Sequence, residues 1–382
     1  MGMTDVLIVG AGPTGLVLAC DLARRGTAVR IVDRSPAPPR TSRAKGPNPR
    51  SLEILDDLGV AEEVLAAGSA PLPMLKYRDR RPVAEADPWA DSAPSPDARY
   101  GRGWLIAQWR LEGILRDRLA GYGVRVEPGR EVVGLAQGRD GGGGGDGGHV
   151  DVTYADGPAG RARYVVGCDG AHSSVRKLLG ITFEGTTAED QVMVCGDVDL
   201  AEGVLDRTRW HQWFDEDGAV MLCPIPGTRT GWWFQAGPER DGRGRPLAPT
   251  ADGFRRLLAH HTALPGRALT RAELLSTYRV NVRLADRFRA GRVLLAGDAA
   301  HEDRVGAEPG AVVDDAGHAA AAYGTGASGD TGAGTVVVVR PDHHVGVLAP
   351  ADDARSVREY LRRLHGTGRS AERSPGMVDA VR

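Results

Sequence analysis

Residues 5–33 carry the feature that most restricts the fold. An apolar run at 6–9 leads into Gly10-Ala11-Gly12-Pro13-Thr14-Gly15, a helical stretch follows to Arg25, and Gly26 ends it. Residues 28–32 then form a second apolar run that ends in Asp33. A continuous apolar run is what a strand buried on both faces requires, so the segment reads as strand, tight turn, helix, strand. The glycine spacing has a specific chemistry. Gly10 permits the turn, Gly12 lets a pyrophosphate approach the backbone, and Gly15 lets helix and strand pack closely. Pro13 and Thr14 open the helix, whose unpaired N–H groups and positive dipole end face the phosphates. Asp33 stands where an acid accepts from a ribose hydroxyl. The competing reading is a glycine turn in some other α/β protein. Arg34 either covers the adenine side or is solvated.

Composition narrows the class. The formal net charge is −2, so the global balance favours neither nucleic acid nor an anionic membrane. No apolar run approaches the roughly 18 residues of a membrane span, and the start has no basic region followed by an apolar core, so no secretory signal is expected. Cys20, Cys168, Cys195 and Cys223 are scattered without a CxxC, which disfavours a disulfide framework and a zinc site. His260-His261 and His343-His344 are adjacent pairs whose side chains diverge on any regular element, so no metal is expected. A cytoplasmic protein is the expectation. Gly and Pro together number 77 of 382 residues (53 and 24), which predicts many turns. The nearly all-Gly run at 138–148 is expected to be a slack hairpin tip between strands at 130–137 and 149–154.

Two further segments match the first. Residues 163–176 give a strand, then Cys168-Asp169-Gly170-Ala171-His172-Ser173-Ser174-Val175-Arg176. Residues 292–301 give a strand ending Ala296-Gly297-Asp298-Ala299-Ala300-His301. With the first glycine motif, these resemble the three fingerprints of the single-component flavoprotein aromatic hydroxylases (group A, the para-hydroxybenzoate hydroxylase-like fold). The closer likeness is to bacterial enzymes that oxygenate aromatic polyketides, and it covers residues 4–301.

The resemblance implies an α/β fold in which a Rossmann-like FAD-binding domain is interleaved with an antiparallel-sheet substrate domain. The first takes residues 1–72, 100–182 and 286–305; the second takes 73–99 and 183–285. It implies that Gly10, Gly12 and Gly15 cradle the FAD pyrophosphate and that Asp33 holds the adenosine ribose. Arg43 of Ser42-Arg43-Ala44 lies near the isoalloxazine and pyrophosphate; on spacing alone it equally reads as a surface cation. Gln108, at a helix start, reaches the cofactor. Asp169 and Gly170 serve both FAD and NAD(P)H, although Asp169 alone also reads as a turn former. Gly297 precedes Asp298, which binds the ribityl chain. Short β-like runs fill 183–285, and the sheet they form would roof the substrate cavity. Trp213, Met221, Pro224 and Trp232 are its candidate substrate contacts, with core packing the ordinary reading of each Trp.

The implied activity is an FAD-dependent, NAD(P)H-consuming monooxygenase. It would hydroxylate, or oxidise in the Baeyer–Villiger manner, an aromatic polyketide or phenol with O₂ through a flavin C4a-hydroperoxide. No residue offers itself as an acid or base at a usable spacing. The chain departs from the family after His301, where a Pro, a Gly-rich turn and a long helix are the pattern. Here Pro309-Gly310 and Asp315-Ala316 echo that text, and residues 334–348 resemble the end of the family's thioredoxin-like carboxy-terminal domain, with 356–364 as its last helix. The expectation is an internal deletion that leaves a remnant of that domain at 306–382; the alternative is a shortened turn and helix at 309–320. Two functions stay open: the monooxygenase, and an FAD-binding protein that lost turnover with the missing segment.

Overall fold

A computed structural model describes residues 3–302 apart from 43, 91–98, 139–147 and 217, together with Arg355 and the strands at 335–339 and 345–350. The chain divides into two compact units, Met1–Arg304 and Val305–Arg382.

The first unit begins β1 (Thr4–Val9), α1 (Pro13–Arg24), β2 (Val29–Val32), α2 (Pro49–Asp57) and α3 (Ala61–Ala67). It continues with a hairpin of β3 (Met74–Arg78) and β4 (Arg81–Ala86), then α4 (Gln108–Gly121), β5 (Val126–Glu127), β6 (Val132–Gly138), β7 (His149–Tyr154), β8 (Gly160–Gly167) and α5 (Ser174–Leu178). A second run of strands follows: β9 (Phe183–Leu200), β10 (Trp210–Asp215), β11 (Gly218–Pro224) and β12 (Gly231–Ala236). After α6 (Ala251–His261) come β13 (Leu269–Ala272), β14 (Ser276–Ala285), β15 (Arg289–Ala290), β16 (Val293–Leu295) and β17 (His301–Glu302).

These strands make two sheets. The first runs β15-β16-β8-β1-β2-β5, with β7 and then β6 added beside β8. Its centre, β16-β8-β1-β2-β5, is parallel, and both of its faces are buried. Ile8, Leu16, Ile31, Leu115 and Leu119 pack on one side; Leu7, Val9, Val32, Val165 and Val293 pack on the other. That is why the strands read as unbroken apolar runs. The second sheet runs β17-β14-β9-β12-β11-β10-β3-β4, with β13 also on β9. β17 therefore returns to the second sheet, although its residues fall in the segment expected to serve the first.

Local signals explain several element ends. Asn48 caps α2 by accepting from the Ser51 amide at 2.8 Å, with Pro49 at the first helical position. Helix α6 stands inside a stretch whose sequence reads as strands. Thr250 caps it, and Phe254, Leu257 and Leu258 pack against Val220, Leu222 and Phe234 of the second sheet.

The second unit is described only as an antiparallel hairpin of β18 (Thr335–Val339) and β19 (Val345–Pro350). The expected thioredoxin-like remnant is otherwise outside the described residues. So are the turn or helix at 309–320, the helix at 356–364 and the hairpin tip at 139–147.

Candidate functional site

Register decides where the site forms. Val32, Val9, Gly167 and Leu295 pair in one row across β2, β1, β8 and β16. The chain therefore leaves four adjacent parallel strands side by side, carrying Asp33, Gly10, Asp169 and Gly297 out at the carboxyl edge of the sheet. Open α/β sheets bind ligands at that edge.

The turns there are packed so closely that Gly10, Gly15 and Gly297 leave no room for a Cβ. Gly10 has φ +103°, and a Cβ on it would lie 2.4 Å from the Cys168 carbonyl oxygen. A Cβ on Gly15 would lie 2.0 Å from the Gly10 carbonyl oxygen. Gly297, at φ +61°, approaches Thr14 so closely that a Cβ would stand 2.6 Å from Thr14 Oγ1. The first motif thus touches both the second and the third. Gly12, which caps α1 with Pro13 next, is different: a Cβ there meets nothing within 4 Å. The space before the helix amino terminus is open, as an approaching phosphate needs.

Side chains complete the edge. Asp33 accepts from the Ala11 amide at 2.7 Å and from the Ser35 amide at 2.8 Å, so it braces the glycine turn it stands beside. Arg34 is exposed. Asp169 accepts from Ser173 Oγ at 2.5 Å and from the amides of Ser174 and Val175 at 2.7 and 3.1 Å, which commits both its oxygens to the start of α5. Gly170 follows with φ +80°. Asp298 is exposed and has no hydrogen-bond partner among the described residues. Its carboxylate is available to a ligand hydroxyl. Arg43 lies outside the described residues.

Two connections were not read from the sequence. On α4, Gln108 Nε2 donates to Glu112 Oε1 at 2.8 Å, and Arg116 donates to Glu112 Oε2 at 2.9 Å and to the Ala11 carbonyl at 3.3 Å. The i, i+4, i+8 spacing puts these three on one helix face, so this much was available in the text. Arg176 is buried and donates to the carbonyls of Ala299 at 2.9 Å and Ala171 at 2.6 Å. It ties the turn after β16 to the turn after β8.

The second sheet has two covered faces. One packs on α6 and takes His211, Trp213, Val220, Leu222, Trp232 and Phe234. Trp213 and Trp232, two of the candidate substrate contacts, are 4% and 2% exposed and lie in the core beneath α6. Register puts Pro224 opposite Trp232. The other face carries Met221, which pairs with Gln212 and Gln235, and it meets the segment at 42–47. Ser42 donates its amide to Asp197 Oδ2 at 2.7 Å, and Lys45 Nζ donates to Gln235 Oε1 at 2.9 Å. Burial pushes the Asp197 carboxyl up to about 6 despite the Ser42 N–H, and Glu273 adds to the rise. Asp197 Oδ1 has no hydrogen-bond partner among the described residues, and Asp197 lines a cavity of about 170 Å³ with Arg40, Trp109 and Glu273. Burial also pushes the Cys168 and Cys223 thiols up to about 12 and Cys20 to about 11, so none supplies a thiolate.

Residues 3–306 match the model of the FAD binding domain family. The chain belongs to that family. Residues 307–367 match the phenol hydroxylase C-terminal dimerisation domain. A flavin-dependent monooxygenase of Mycobacteroides abscessus is 40% identical over 307 residues, 78% of this chain and 62% of the relative. A rifampicin monooxygenase of Streptomyces venezuelae is 33% identical over 78% of this chain and 59% of its own length. Among solved structures, aklavinone-11 hydroxylase in complex with FAD and aklavinone aligns with a TM-score of 0.65 at 28% identity, over 78% of this chain and 57% of that one. The chain therefore spans about three fifths of the length of these relatives. Family membership agrees with the FAD expected from the three motifs, and the described edge fits it. An open helix start, glycines that no side chain could replace and an unpartnered Asp298 meet at one place. Among the described residues no helix is long and apolar enough to cross a membrane, and no group of His, Cys, Asp or Glu is placed to hold a metal.

Proposed function

We propose that the protein is an FAD-dependent, NAD(P)H-consuming monooxygenase of an aromatic polyketide or phenolic substrate. The observation that carries this is the meeting of three separated motifs at the carboxyl edge of one parallel sheet. The likeness to monooxygenases across 78% of the chain supports it.

The amides at the start of α1, opened by Gly12, would hold the pyrophosphate, and Asp33 a ribose. Asp298 would take the ribityl hydroxyls, with Arg43 and the Gln108–Glu112–Arg116 ladder alongside. Bound FAD supplies the redox chemistry, taking electrons from NAD(P)H and using O₂ to oxygenate an electron-rich ring. The chain's own part would be to hold the cofactor at the carboxyl edge through these residues, to seat the aromatic ring on the sheet face that carries Met221, and to keep water from the reacting atoms. Electron-rich polycyclic phenols fit a face of Gln, Met and Trp side chains better than small aliphatic substrates do.

Titration of the purified chain with FAD, followed by flavin fluorescence, tests the cofactor site. Asp298→Ala is expected to weaken uptake about tenfold, the worth of one or two hydrogen bonds, with no loss of stability. Oxidation of NADPH and NADH, with and without hydroxylated anthraquinones, tests turnover. Uptake of FAD that NAD(P)H never reduces would overturn the monooxygenase and leave a flavin-binding protein.

A further inference from the structure

We propose that Lys45 is a specificity-determining residue, which holds the ionised oxygen of the aromatic substrate against the second sheet. The inference rests on the aromatic-substrate reading above and names what that substrate must present: a phenolate or enolate.

The argument begins with how Lys45 is fixed. The Lys45 carbonyl accepts from the Ile106 amide at 2.9 Å, and Ser42 Oγ accepts from the Gln108 amide at 3.0 Å. Gly46, at φ +146°, lies so close to the Trp104 carbonyl that a Cβ would stand 1.9 Å from its oxygen. These contacts pin the segment, and the Lys45 side chain reaches across to the sheet. There the ammonium donates to Gln235 Oε1 and stands 5.3 Å from the centre of the Trp210 ring. No carboxylate comes within ion-pair distance of it among the described residues.

An ammonium has three N–H donors. One is used, on a neutral partner. The charge is largely withdrawn from water, and burial holds Lys45 below the usual lysine range. The groups that oppose this are Cys223 on β11 and Cys195 and Asp197 on β9. Asp197 is engaged by Ser42, and the Cys223 thiol is neutral. Asp197 thus attracts the ammonium through space, without an ion-pair contact among the described residues; a partly desolvated cation so weakly compensated is costly, and an anionic ligand oxygen lowers that cost.

The sheet supplies the rest of the seat. Gln212, Met221, Gln235 and Cys195 pair in one row across β10, β11, β12 and β9, and so project to one face. Gln235, in the middle of that row, is the residue that orients Lys45. The row is uncharged and polarisable, the surface a flat aromatic ring prefers, with one cation at its margin. A neutral ring would gain little from Lys45, whereas a phenolate gains a charge-assisted hydrogen bond.

Alizarin, a hydroxylated anthraquinone whose colour reports its ionisation, and 9,10-anthraquinone, which has the same rings and no acidic proton, test this on the full-length chain. Wild type is expected to bind alizarin as its anion at a pH below the free dye's own midpoint, with release of the phenolic proton to solvent. Lys45→Met is expected to bind alizarin about 10- to 100-fold more weakly and without the colour change, to bind 9,10-anthraquinone as wild type does, and to take up FAD as wild type does. Lys45→Arg keeps the colour change. Failure of wild type to bind alizarin, binding of its neutral form, or an unchanged dye spectrum in Lys45→Met would overturn the proposal. Parallel loss of FAD and dye in Lys45→Met would also overturn it, by assigning Lys45 to the cofactor. Should Lys45→Met not fold, the ionisation state of alizarin on wild type decides alone. Failure of wild type to take up FAD, with the dye still bound as its anion, would count against the flavoprotein reading and not against Lys45.

Discussion

The two regions of the first unit proposed to face ligands are made of different material. At the carboxyl edge of the parallel sheet the surface is largely main chain: Gly10 against the Cys168 carbonyl and Gly15 against the Gly10 carbonyl, with Gly297 against the Thr14 side chain. On the second sheet it is side chain: Lys45 on Gln235, Asp197 on Ser42, Met221 between Gln212 and Gln235. A main-chain surface tolerates no added atom but asks little of residue identity beyond glycine, so it suits a ligand part that never changes. A side-chain surface can be rewritten residue by residue, so it suits a part that differs from one enzyme to the next.

The largest predicted effect separates the second sheet's two faces. Phe254 is fully buried beneath the sheet, stacked on Phe234 at 4.7 Å between ring centres. Phe254→Ala is expected to cost about 3–5 kcal/mol of unfolding free energy, as a lost transfer energy plus a cavity. FAD affinity of the folded fraction should not change. Urea unfolding with a flavin titration below the transition checks both. A selective loss of FAD affinity would mean that α6 and the parallel-sheet edge are coupled and that the division drawn above is wrong.

Gly15→Ala comes next and tests the other region. The added methyl would overlap the Gly10 carbonyl, so the turn must move. Overpacking of this kind costs about 1–3 kcal/mol. Here the moved atoms belong to the proposed FAD surface, and FAD affinity is expected to fall at least as steeply as stability does. An unchanged flavin dissociation constant would show that the turn is not where the pyrophosphate sits.

The same difference in material explains what could be read in the text. The glycine turn is legible because every residue that defines it lies within one βαβ unit and each glycine answers a local steric demand. Gln108, Glu112 and Arg116 are spaced as one helix face, yet only the fold shows that the face ends on Ala11. Trp232, Trp233 and Phe234 are all buried. A sheet covered on both sides loses the alternation that would tell its faces apart, so Trp213 and Trp232 could not be assigned a face from sequence. Helix α6 was legible in principle, through Thr250 and the spacing of Phe254, Leu257, Leu258 and His261, but it is short and sits among strands. Lys45 and Gln235 are 190 positions apart, and nothing local in either announces the other.

The smallest effect concerns Asp197 and sharpens the contrast through pH. Burial raises its carboxyl to about 6 in the folded chain, above the roughly 3.9 of an unfolded aspartate. The folded state therefore binds the proton more tightly than the unfolded state. Stability from this group is fully present below about pH 4, declines as pH rises towards 6, and is level above it. An ionised Asp197 is thus held at some cost, with the Ser42 amide on Oδ2 and, among the described residues, no partner on Oδ1. Asn in its place can still accept from Ser42 and carries no charge. Asp197→Asn is expected to abolish this part of the decline and to raise stability at pH 7 by about 1–2 kcal/mol, the linkage value for a shift of this direction after allowance for solvent relaxation. Urea midpoints for wild type and Asp197→Asn between pH 4.5 and 7.5 isolate the group, because all other titrations cancel in the difference. Parallel curves would show that the side-chain surface stores no charge at Asp197. Converging curves at low pH would show that this region, unlike the glycine turn, keeps an ionisable group at the expense of stability, which a purely structural contact between Ser42 and the sheet does not require.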